Sequence, residues 1–315
     1  MAIPAMKRFK YNNSLIAGTI CAGGSLGTMI PPSVVAVVYA SLAQISVGEL
    51  FAAMVVPGLI MVGLFIGYIL IVCTLWPEKG PRADDADMRL PLTKKLDITV
   101  KGLLPTIFLI VAVLGSLMSG IASPTEAAAV GAAGALLLCI LYRQFNVPMM
   151  LDALKITTRI TAMIMLIVAG GIMFTGAFAA NGGSKLIQMI TADMGLGVVG
   201  TMIFFLVVVF LLGFVLDWTA NVLICVPLFL PFLKSAGIDP VWFGTMMIIV
   251  IQTGYLTPPL ASSIFYLMSI APPDMRYAQI CRGVVPFIIA QAITLLIVAM
   301  FPLAATWLPS KIVGF

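Results

Sequence analysis

Long apolar stretches without a charged residue alternate with short polar links along this chain. The polar link at 77–101 contains six basic and five acidic residues and predicts a solvated loop. The links at 143–159 and 185–193 predict short amphipathic helices at the membrane surface. A helix that crosses the hydrocarbon core of a bilayer needs about 20 apolar residues. Stretches of that order occupy residues 50–76, 102–125, 127–142, 161–184, 194–216 and 283–310.

Two further uncharged stretches, 11–48 and 240–273, are interrupted by glycine and proline. Proline removes a backbone donor and breaks a helix, and glycine weakens it. In lipid, the freed backbone groups need partners inside the protein or in a wet cavity. Each stretch is therefore predicted to form a re-entrant hairpin, in which two half-helices reach the middle of the bilayer and turn at paired prolines. The interrupting residues are Gly23, Gly24, Gly27, Pro31 and Pro32, and then Gly254, Pro258, Pro259, Pro272 and Pro273.

The two interrupted stretches resemble each other at an offset of 227 residues. Between them we count five crossings, the last being a segment at 194–233 that is broken in its middle. An odd number of crossings gives an inverted repeat, which is typical of secondary transporters, whereas two crossings at 194–233 would give a parallel one. The counterpart of 194–227 would precede residue 1, so N-terminal spans are predicted to be absent from this chain. The matching residues are Pro4 and Pro231, Lys7 and Lys234, Gly27 and Gly254, Pro31–Pro32 and Pro258–Pro259, and Tyr39 and Tyr266.

Composition places the protein in a membrane. Of the 315 residues, 62% are apolar and 9% are charged, whereas about a quarter of a soluble domain is charged. This balance excludes a soluble globular protein, a disulfide scaffold, a disordered chain and a nucleic-acid-binding protein, and it makes the lipid bilayer part of the solvent. The sequence has no histidine, which excludes histidine-based catalysis and histidine metal ligation.

The net charge of +5 bears on membrane orientation. Lys7, Arg8 and Lys10 predict a cytoplasmic anchor under the positive-inside rule. If both interrupted stretches are hairpins, both ends of the first hairpin would lie on the cytoplasmic side of the membrane and both ends of the second on the opposite side. The basic residues of 77–101 would also lie outside, which conflicts with the same rule.

Several motifs resemble one transporter family. GGSLGTMIPPS at 23–33 resembles the first hairpin of the large membrane subunit, the DctM-like subunit, of tripartite ATP-independent periplasmic (TRAP) transporters. GFVLD at 213–217 resembles its broken helix, GYLTPP at 254–259 the tip of its second hairpin, and RGVVPF at 282–287 the start of its last helix. The resemblance runs nearly end to end. One departure is ASS at 261–263, where the family often has a glycine.

The resemblance implies an all-α integral membrane protein with inverted repeats and two re-entrant hairpins, similar to elevator-type transporters of the ion-transporter superfamily. It implies a multi-pass large permease subunit in the bacterial inner membrane that takes up an organic acid, such as a dicarboxylate, by sodium symport. The implied partners are a small four-helix membrane subunit (Q type) and a periplasmic substrate-binding protein (P type), with Na⁺ as coupling ion and no other cofactor. The corresponding regions are the first hairpin at 1–48, connecting transmembrane and interfacial helices at 49–193, the broken helix and second hairpin at 194–273, and a C-terminal transmembrane helix at 274–315.

Broken helices supply the chemistry of an ion site. Carbonyl groups that lose their helical partners can ligate a cation, and the N-terminal ends of half-helices favour a carboxylate. Close helix packing is the alternative explanation for the glycines at these positions. The residues predicted to bind one sodium ion are Gly213, Gly254, Thr257 and Leu260. The repeat assigns a second sodium site to Gly27, Ile30 and Ser33.

Asp217 is the only acidic residue between Asp193 and Asp239. A carboxylate in an apolar run is costly and favours a functional role, although a helix N-cap explains Asp217 equally well. Glu126, after Pro124 and Thr125, is better explained as a helix cap. The residues predicted to line the substrate cavity with Asp217 are Thr219, Asn221, Pro31, Pro32, Pro258 and Pro259.

Two other functions stay open from the sequence. A stand-alone sodium/carboxylate symporter of similar hairpin architecture would bind its substrate without a periplasmic partner. An integral-membrane enzyme would use Asp217 and Glu126 as a carboxylate pair. Such enzymes usually carry closely spaced acids at the membrane surface, but the cluster of that kind at 84–87 lies in the hydrophilic link and is predicted to be solvated.

Overall fold

The computed structural model describes residues 2–81, 91–183, 186, 189, 195, 197–258 and 261–312. In this part of the chain, all the regular elements are helical, and one 3₁₀ turn (Leu26–Thr28) follows the second α-helix. The α-helices are α1 (Ala2–Arg8), α2 (Asn13–Ser25), α3 (Val34–Ala43), α4 (Val47–Leu75), α5 (Leu92–Met118), α6 (Pro124–Leu141), α7 (Val147–Ala180), α8 (Gly197–Leu212), α9 (Trp218–Ser235), α10 (Pro240–Leu256), α11 (Ser262–Ile270), α12 (Tyr277–Met300) and α13 (Leu303–Ile312).

Six of the described helices are long and apolar enough to cross a membrane: α4, α6, α9 and α12, with Thr99–Met118 of α5 and Val147–Phe178 of α7. The predicted all-α integral membrane protein is confirmed. The predicted surface helix at 143–159 is wrong, because α7 runs without interruption through most of it. No proline lies within 149–180 to end that helix. The link predicted at 185–193 lies mostly outside the described residues.

The first interrupted stretch is broken where the sequence predicts, but it crosses the fold. Helix α4 runs beside the whole of it. The Asn12 backbone N–H, before α2, donates to the Lys79 carbonyl, beyond the end of α4, at 2.9 Å. Midway, Ile30 lies against Gly58, and α3 leads directly into the start of α4. Because the 29 residues of α4 extend about 43 Å, the two ends of α2–α3 lie at opposite ends of the fold, and the hairpin predicted within 11–48 is wrong.

The second interrupted stretch also crosses the fold. The indole N–H of Trp242, in the first turn of α10, donates to the Val298 carbonyl near the end of α12, at 2.8 Å. Helix α11 instead leads into the start of α12, whose 24 residues extend about 36 Å. The hairpin predicted at 240–273 is therefore wrong. Glycine and proline stop a helix, but they do not decide whether the following helix reverses or continues.

The hairpin lies instead at α8–α9. The rings of Phe205 and Phe229 stack with their centroids 4.0 Å apart. In one crossing, 24 residues apart, these rings would be separated by about 36 Å. Near the tip, the Asn221 amide donates to the Val209 carbonyl at 2.9 Å. The two helices are therefore antiparallel, and the prediction of a single broken crossing at 194–233 is wrong.

The two broken crossings run in opposite directions. The Tyr39 hydroxyl, near the end of α3, donates to the Pro240 carbonyl at the start of α10, at 2.8 Å. At the other end of the fold, the Asn13 amide, at the start of α2, donates to Asp274, beyond α11, at 3.3 Å. Hydrogen bonds from the Lys7 ammonium and this amide lower the pKa of the Asp274 carboxyl. Each crossing thus begins where the other ends, as an inverted repeat requires.

The opposite directions of the two broken crossings do not result from the five crossings that the sequence predicts between them. Leu117, at the end of α5, lies against Gly48, at the start of α4. The Tyr142 hydroxyl, just beyond α6, donates to the Lys101 carbonyl in the N-terminal part of α5, at 2.5 Å. The pairs α4–α5 and α5–α6 are therefore antiparallel, and α7 is long and apolar enough for a fourth crossing. The α8–α9 hairpin then returns the chain to the side from which it started, so the second broken crossing begins where the first one ended.

A buried polar cluster joins the two broken crossings. The side-chain amides of Gln252 and Gln291 donate to the Ser25 hydroxyl oxygen at 3.3 and 3.2 Å. All three side chains are buried. Ser25 and Gln252 are 227 residues apart, the offset of the internal repeat, so equivalent positions of the two repeats touch each other. Such a contact lies on the axis that relates the repeats.

Replacing Ser25 with alanine is expected to destabilise the fold. Both glutamine amides would lose their shared acceptor while buried, which costs about 2 kcal/mol. Thermal unfolding in detergent measures the effect. Ser41→Ala is the matched control, because that exposed hydroxyl bonds only to a carbonyl of its own helix, and the change should stay within about 0.5 kcal/mol. Equal losses for the two variants would show that the cluster does not stabilise the junction.

Candidate functional site

The tip of the α8–α9 hairpin meets the end of α10 around a small cavity, which we name the tip cavity. Its volume is about 20 Å³, enough for one water-sized species. Four of the residues predicted to bind sodium or to line the substrate cavity are brought together there. The lining residues are Gly213, Leu216, Asp217, Trp218, Asn221, Ile251, Gly254, Tyr255 and Ser262.

Gly213 and Gly254 approach closely at this cavity. A Cβ atom placed on Gly254 would lie 3.9 Å from both the Cα and the carbonyl oxygen of Gly213. Helix α8 ends at Leu212, and within the described residues no donor bonds to the Gly213 carbonyl. A carbonyl oxygen without a hydrogen bond therefore lies at the wall of a cavity of ionic size. The sequence analysis predicts such an unpaired carbonyl where a helix is broken.

Asp217 caps the N-terminal end of α9. Its Oδ2 atom accepts hydrogen bonds from the Thr219 backbone N–H at 3.2 Å and from the Thr219 hydroxyl at 3.0 Å. The capping interpretation is thus confirmed. No partner is seen for Oδ1 in the described part of the chain, and Asp217 also lines the tip cavity. One carboxylate oxygen thus caps the helix, and the other has no partner among the described residues.

Thr219 and Asn221 are predicted to line a substrate cavity, but the structure uses both for packing. Thr219 is buried, and its hydroxyl is taken up by Asp217. The Asn221 amide nitrogen bonds to the Val209 carbonyl, and its oxygen accepts from the Cys225 thiol at 3.2 Å. Asn221 therefore fixes the two arms of the hairpin to each other at the edge of the tip cavity.

The predicted residues beyond α10 are only partly placed. Thr257 caps the end of α10, its hydroxyl donates to the Thr253 carbonyl at 2.8 Å, and it does not line the tip cavity. Pro258 is exposed. Pro259 and Leu260 lie outside the described residues.

The predicted residues at the first break are not gathered around one point. The Ser33 hydroxyl caps α3 and donates to the Thr28 carbonyl at 2.6 Å. Ile30 is 42% exposed, and no atom lies within 4 Å of a Cβ placed on Gly27. Pro31 is buried and Pro32 exposed, and neither lines a described cavity.

A second cavity, of about 350 Å³, lies between α2 and α11, and the sequence analysis missed it. We name it the α2–α11 cavity. Its lining is largely apolar, includes a few residues that carry hydroxyl groups, and contains no charged side chain among the described residues. The only trace in the sequence is the pair of serines at 262–263. The lining residues are Ile20, Cys21, Gly24, Ser25, Thr28, Tyr255, Ser263, Tyr266, Leu267 and Ile270.

Glu126 has a structural role. It forms a capping box at the start of α6, in which the Ser123 backbone N–H donates to Oε2 at 2.7 Å and the Ser123 hydroxyl accepts from the Glu126 N–H at 3.4 Å. It lines neither the tip cavity nor the α2–α11 cavity. The predicted helix cap is confirmed, and the structure does not pair Glu126 with Asp217.

The chain is similar to proteins named as transporter components. A family model described as the DctM component of the tripartite ATP-independent periplasmic transporter matches residues 1–304. The C4-dicarboxylate TRAP transporter large permease protein of Pseudomonas aeruginosa is 30% identical, over 98% of this chain and 71% of the relative. The sialic acid TRAP transporter large permease protein of Vibrio cholerae is 30% identical, over 100% and 72%. The isethionate TRAP transporter permease protein DctMQ of Oleidesulfovibrio alaskensis is 28% identical, over 96% and 46%.

Proposed function

The chain belongs to the DctM family of tripartite ATP-independent periplasmic transporters, and on that premise we propose that this large permease subunit couples sodium entry to the uptake of an organic acid. It is a multi-pass protein of the bacterial inner membrane and a transporter subunit, not an enzyme. The tip cavity is the observation that carries the proposal. Its small volume and its unpaired oxygen atoms suit one dehydrated monovalent cation.

In the proposed ion site, the Gly213 carbonyl and the free Asp217 oxygen are the anchoring ligands. The broken end of α10 adds Gly254, which lines the same cavity, whereas Thr257 and Leu260 stay predictions of the sequence. A carboxylate at the rim compensates the charge of the ion, which neutral carbonyl groups alone would do less well. The second site, at Gly27, Ile30 and Ser33, stays a prediction of the repeat.

The distribution of charge supports a cytoplasmic location for the start of α2. Lys7, Lys79, Lys101 and Arg276 lie at that same end of the fold, because α2–α3 crosses from it and α4 returns to it. The conflict with the positive-inside rule arose from the hairpin prediction and disappears with it. In this orientation, the α8–α9 hairpin opens to the periplasm, and the protein is oriented for uptake.

The proposed partners are a small four-helix membrane subunit and a periplasmic substrate-binding protein. The name of the Oleidesulfovibrio alaskensis relative joins an M and a Q component, and this chain covers 46% of it. Helices α5, α6 and α7 bury almost none of their surface within this chain, which suits a fixed scaffold that faces lipid and the small subunit. The α8–α9 hairpin and the two broken crossings are proposed to move against that scaffold in an elevator motion.

Uptake in proteoliposomes tests the function. The chain is reconstituted with the small subunit and loaded with an inward sodium gradient, and accumulation of labelled succinate and sialic acid is measured with and without the binding protein. The proposal requires uptake that needs both sodium and the binding protein. Uptake without the binding protein would instead support a stand-alone symporter.

Replacing Gly254 with alanine is expected to weaken sodium dependence without loss of fold. The added methyl group enters the tip cavity beside the Gly213 carbonyl at ordinary contact distance, 3.9 Å, so it displaces an ion without a clash. The apparent sodium affinity should fall by about tenfold or more. This is the effect expected when a charged group loses the equivalent of one hydrogen bond.

Gly67→Ala is the matched control for that prediction, because it also replaces a helical glycine and has no atom within 4 Å of the new methyl group. The apparent sodium affinity is read from uptake rates at graded sodium concentration. An unchanged affinity in the Gly254 variant would place the ion elsewhere.

A further inference from the structure

The tip cavity and the α2–α11 cavity share one wall. Tyr255 is the one described residue that lines both. The residues on either side of the break between α10 and α11 line one cavity or the other. Gly254 and Ser262 line the tip cavity, whereas Ser263 lines the α2–α11 cavity. The broken crossing therefore separates a site of ionic size from a larger, largely apolar site that also carries hydroxyl groups.

We propose that Tyr255 is a positioning residue that couples the ion in the tip cavity to the organic acid, which occupies the α2–α11 cavity. This inference rests on the proposed sodium-coupled function. It assigns the substrate to the α2–α11 cavity and assigns the coupling to Tyr255, which lies between that cavity and the tip cavity. Transport by symport requires that one ligand change the affinity for the other, and the partition is the shortest connection between the two cavities.

The backbone at the end of α10 is suited to transmit a small movement. The Thr257 backbone N–H is shared between the carbonyls of Thr253 and Gly254, at 3.2 and 3.3 Å. Such long, shared bonds are weak and are common at helix ends, so the Gly254 carbonyl can turn towards an ion at low cost. Tyr255 is the next residue in the chain, and its ring moves with that peptide unit.

The α2–α11 cavity has the size and chemistry of a small organic-acid site. Its volume is about 350 Å³, and its polar side chains include Thr28, Ser263 and Tyr266. The Ser263 and Tyr266 hydroxyl groups can donate to carboxylate oxygens, whereas the Thr28 hydroxyl already donates to the Ser25 carbonyl at 2.8 Å and can only accept from a substrate hydroxyl. With no cationic side chain in the described lining, the charge of the acid is balanced by the sodium beyond the partition. This arrangement makes the two ligands bind together.

Two native side chains report on the two cavities. Trp218 lines the tip cavity, so its fluorescence responds to an ion there, and Trp218→Phe identifies its share of the signal. Cys21 lines the α2–α11 cavity, with its sulfur 3.6 Å from the Ser263 carbonyl oxygen. The Cys21 side chain is buried, so its modification by methyl methanethiosulfonate, followed by mass spectrometry of the Cys21 peptide, measures the opening of that wall of the cavity in NaCl and in KCl.

We expect sodium to change both signals in the wild-type protein, with a change of about fivefold or more in the Cys21 rate. Tyr255→Leu should keep the fluorescence response and give equal Cys21 rates in the two salts. Tyr255→Phe retains the ring and should retain the coupling. Tyr277→Leu is the matched control, since Tyr277 is exposed and lines neither cavity, and it should behave as the wild type.

The outcomes separate the inference from the function on which it rests. A wild-type protein without a sodium response at Trp218 would contradict the proposed function itself. A response at Trp218 with no effect at Cys21, or a Tyr255→Leu variant that keeps the effect, would overturn the coupling role alone. Loss of the Trp218 response in Tyr255→Leu would make Tyr255 part of the ion site and not a positioning residue.

Discussion

Asp217→Ala is expected to abolish sodium-dependent uptake while the protein stays in the membrane. A carboxylate about 4 Å from a monovalent cation contributes about 4 kcal/mol at an effective dielectric constant near 20, which is about a thousandfold in affinity. Loss of the helix cap would cost about 1 kcal/mol in addition. The measurement is uptake driven by a sodium gradient in proteoliposomes, together with the amount of folded protein recovered.

Asp217→Asn separates the two roles of this residue. Asparagine caps a helix as well as aspartate does, and its amide oxygen can still accept from the Thr219 N–H, so stability should be close to that of the wild type. The negative charge is lost, and uptake should fall as far as in Asp217→Ala. Near-normal transport by Asp217→Asn would leave Asp217 as a helix cap only.

Local sequence signals located the breaks and three residues of the tip cavity. Glycine and the paired prolines mark the two breaks because they act on their own backbone, and the offset between the breaks identified the repeat. The same logic grouped Gly213, Asp217 and Gly254, which the structure brings to one cavity. Each of these inferences needs only the residue itself and its neighbours in the chain.

The path of the chain between those marks could not be predicted in the same way. Whether a helix reverses at a break depends on contacts between distant residues, such as the stacking of Phe205 on Phe229 or the bond from Trp242 to Val298. Apolar residues in a membrane protein give no sign of their partners, because lipid and protein are similar surroundings for them. The hairpin was therefore assigned to the wrong segments, and the α2–α11 cavity was missed.

That error also changed the inferred orientation. With a hairpin at 11–48, the basic link at 77–101 would lie on the side opposite to Lys7. With a crossing, the backbone bond between Asn12 and Lys79 places them together. One pair of distant residues thus decides the topology, and Lys7 and Lys79 then lie on the same side, as the positive-inside rule favours.

Gly283→Ala is expected to have the largest effect on stability. Helices α2 and α12 pack so closely that a Cβ atom on Gly283 would overlap the Ser14 carbonyl, and one on Gly18 would overlap the Gly283 carbonyl. The obstructing atoms belong to the backbone, which cannot rotate away as a side chain can. The helices must therefore separate along their whole contact, and we expect a loss of about 3 kcal/mol or more, at the upper end for overpacking.

Gly23→Ala is the matched control for the prediction at Gly283, because it adds the same methyl group to α2 where no atom lies within 4 Å. It should leave stability unchanged or raise it by up to about 1 kcal/mol, since alanine favours a helix. Thermal unfolding in detergent measures both variants. The α2–α12 contact also positions Ser25 against Gln291, so Gly283→Ala should weaken the polar cluster between the repeats. A Gly283 variant that unfolds at the wild-type temperature would mean that the two helices can move apart freely, and the close glycine contact would then not be what holds α2 against α12.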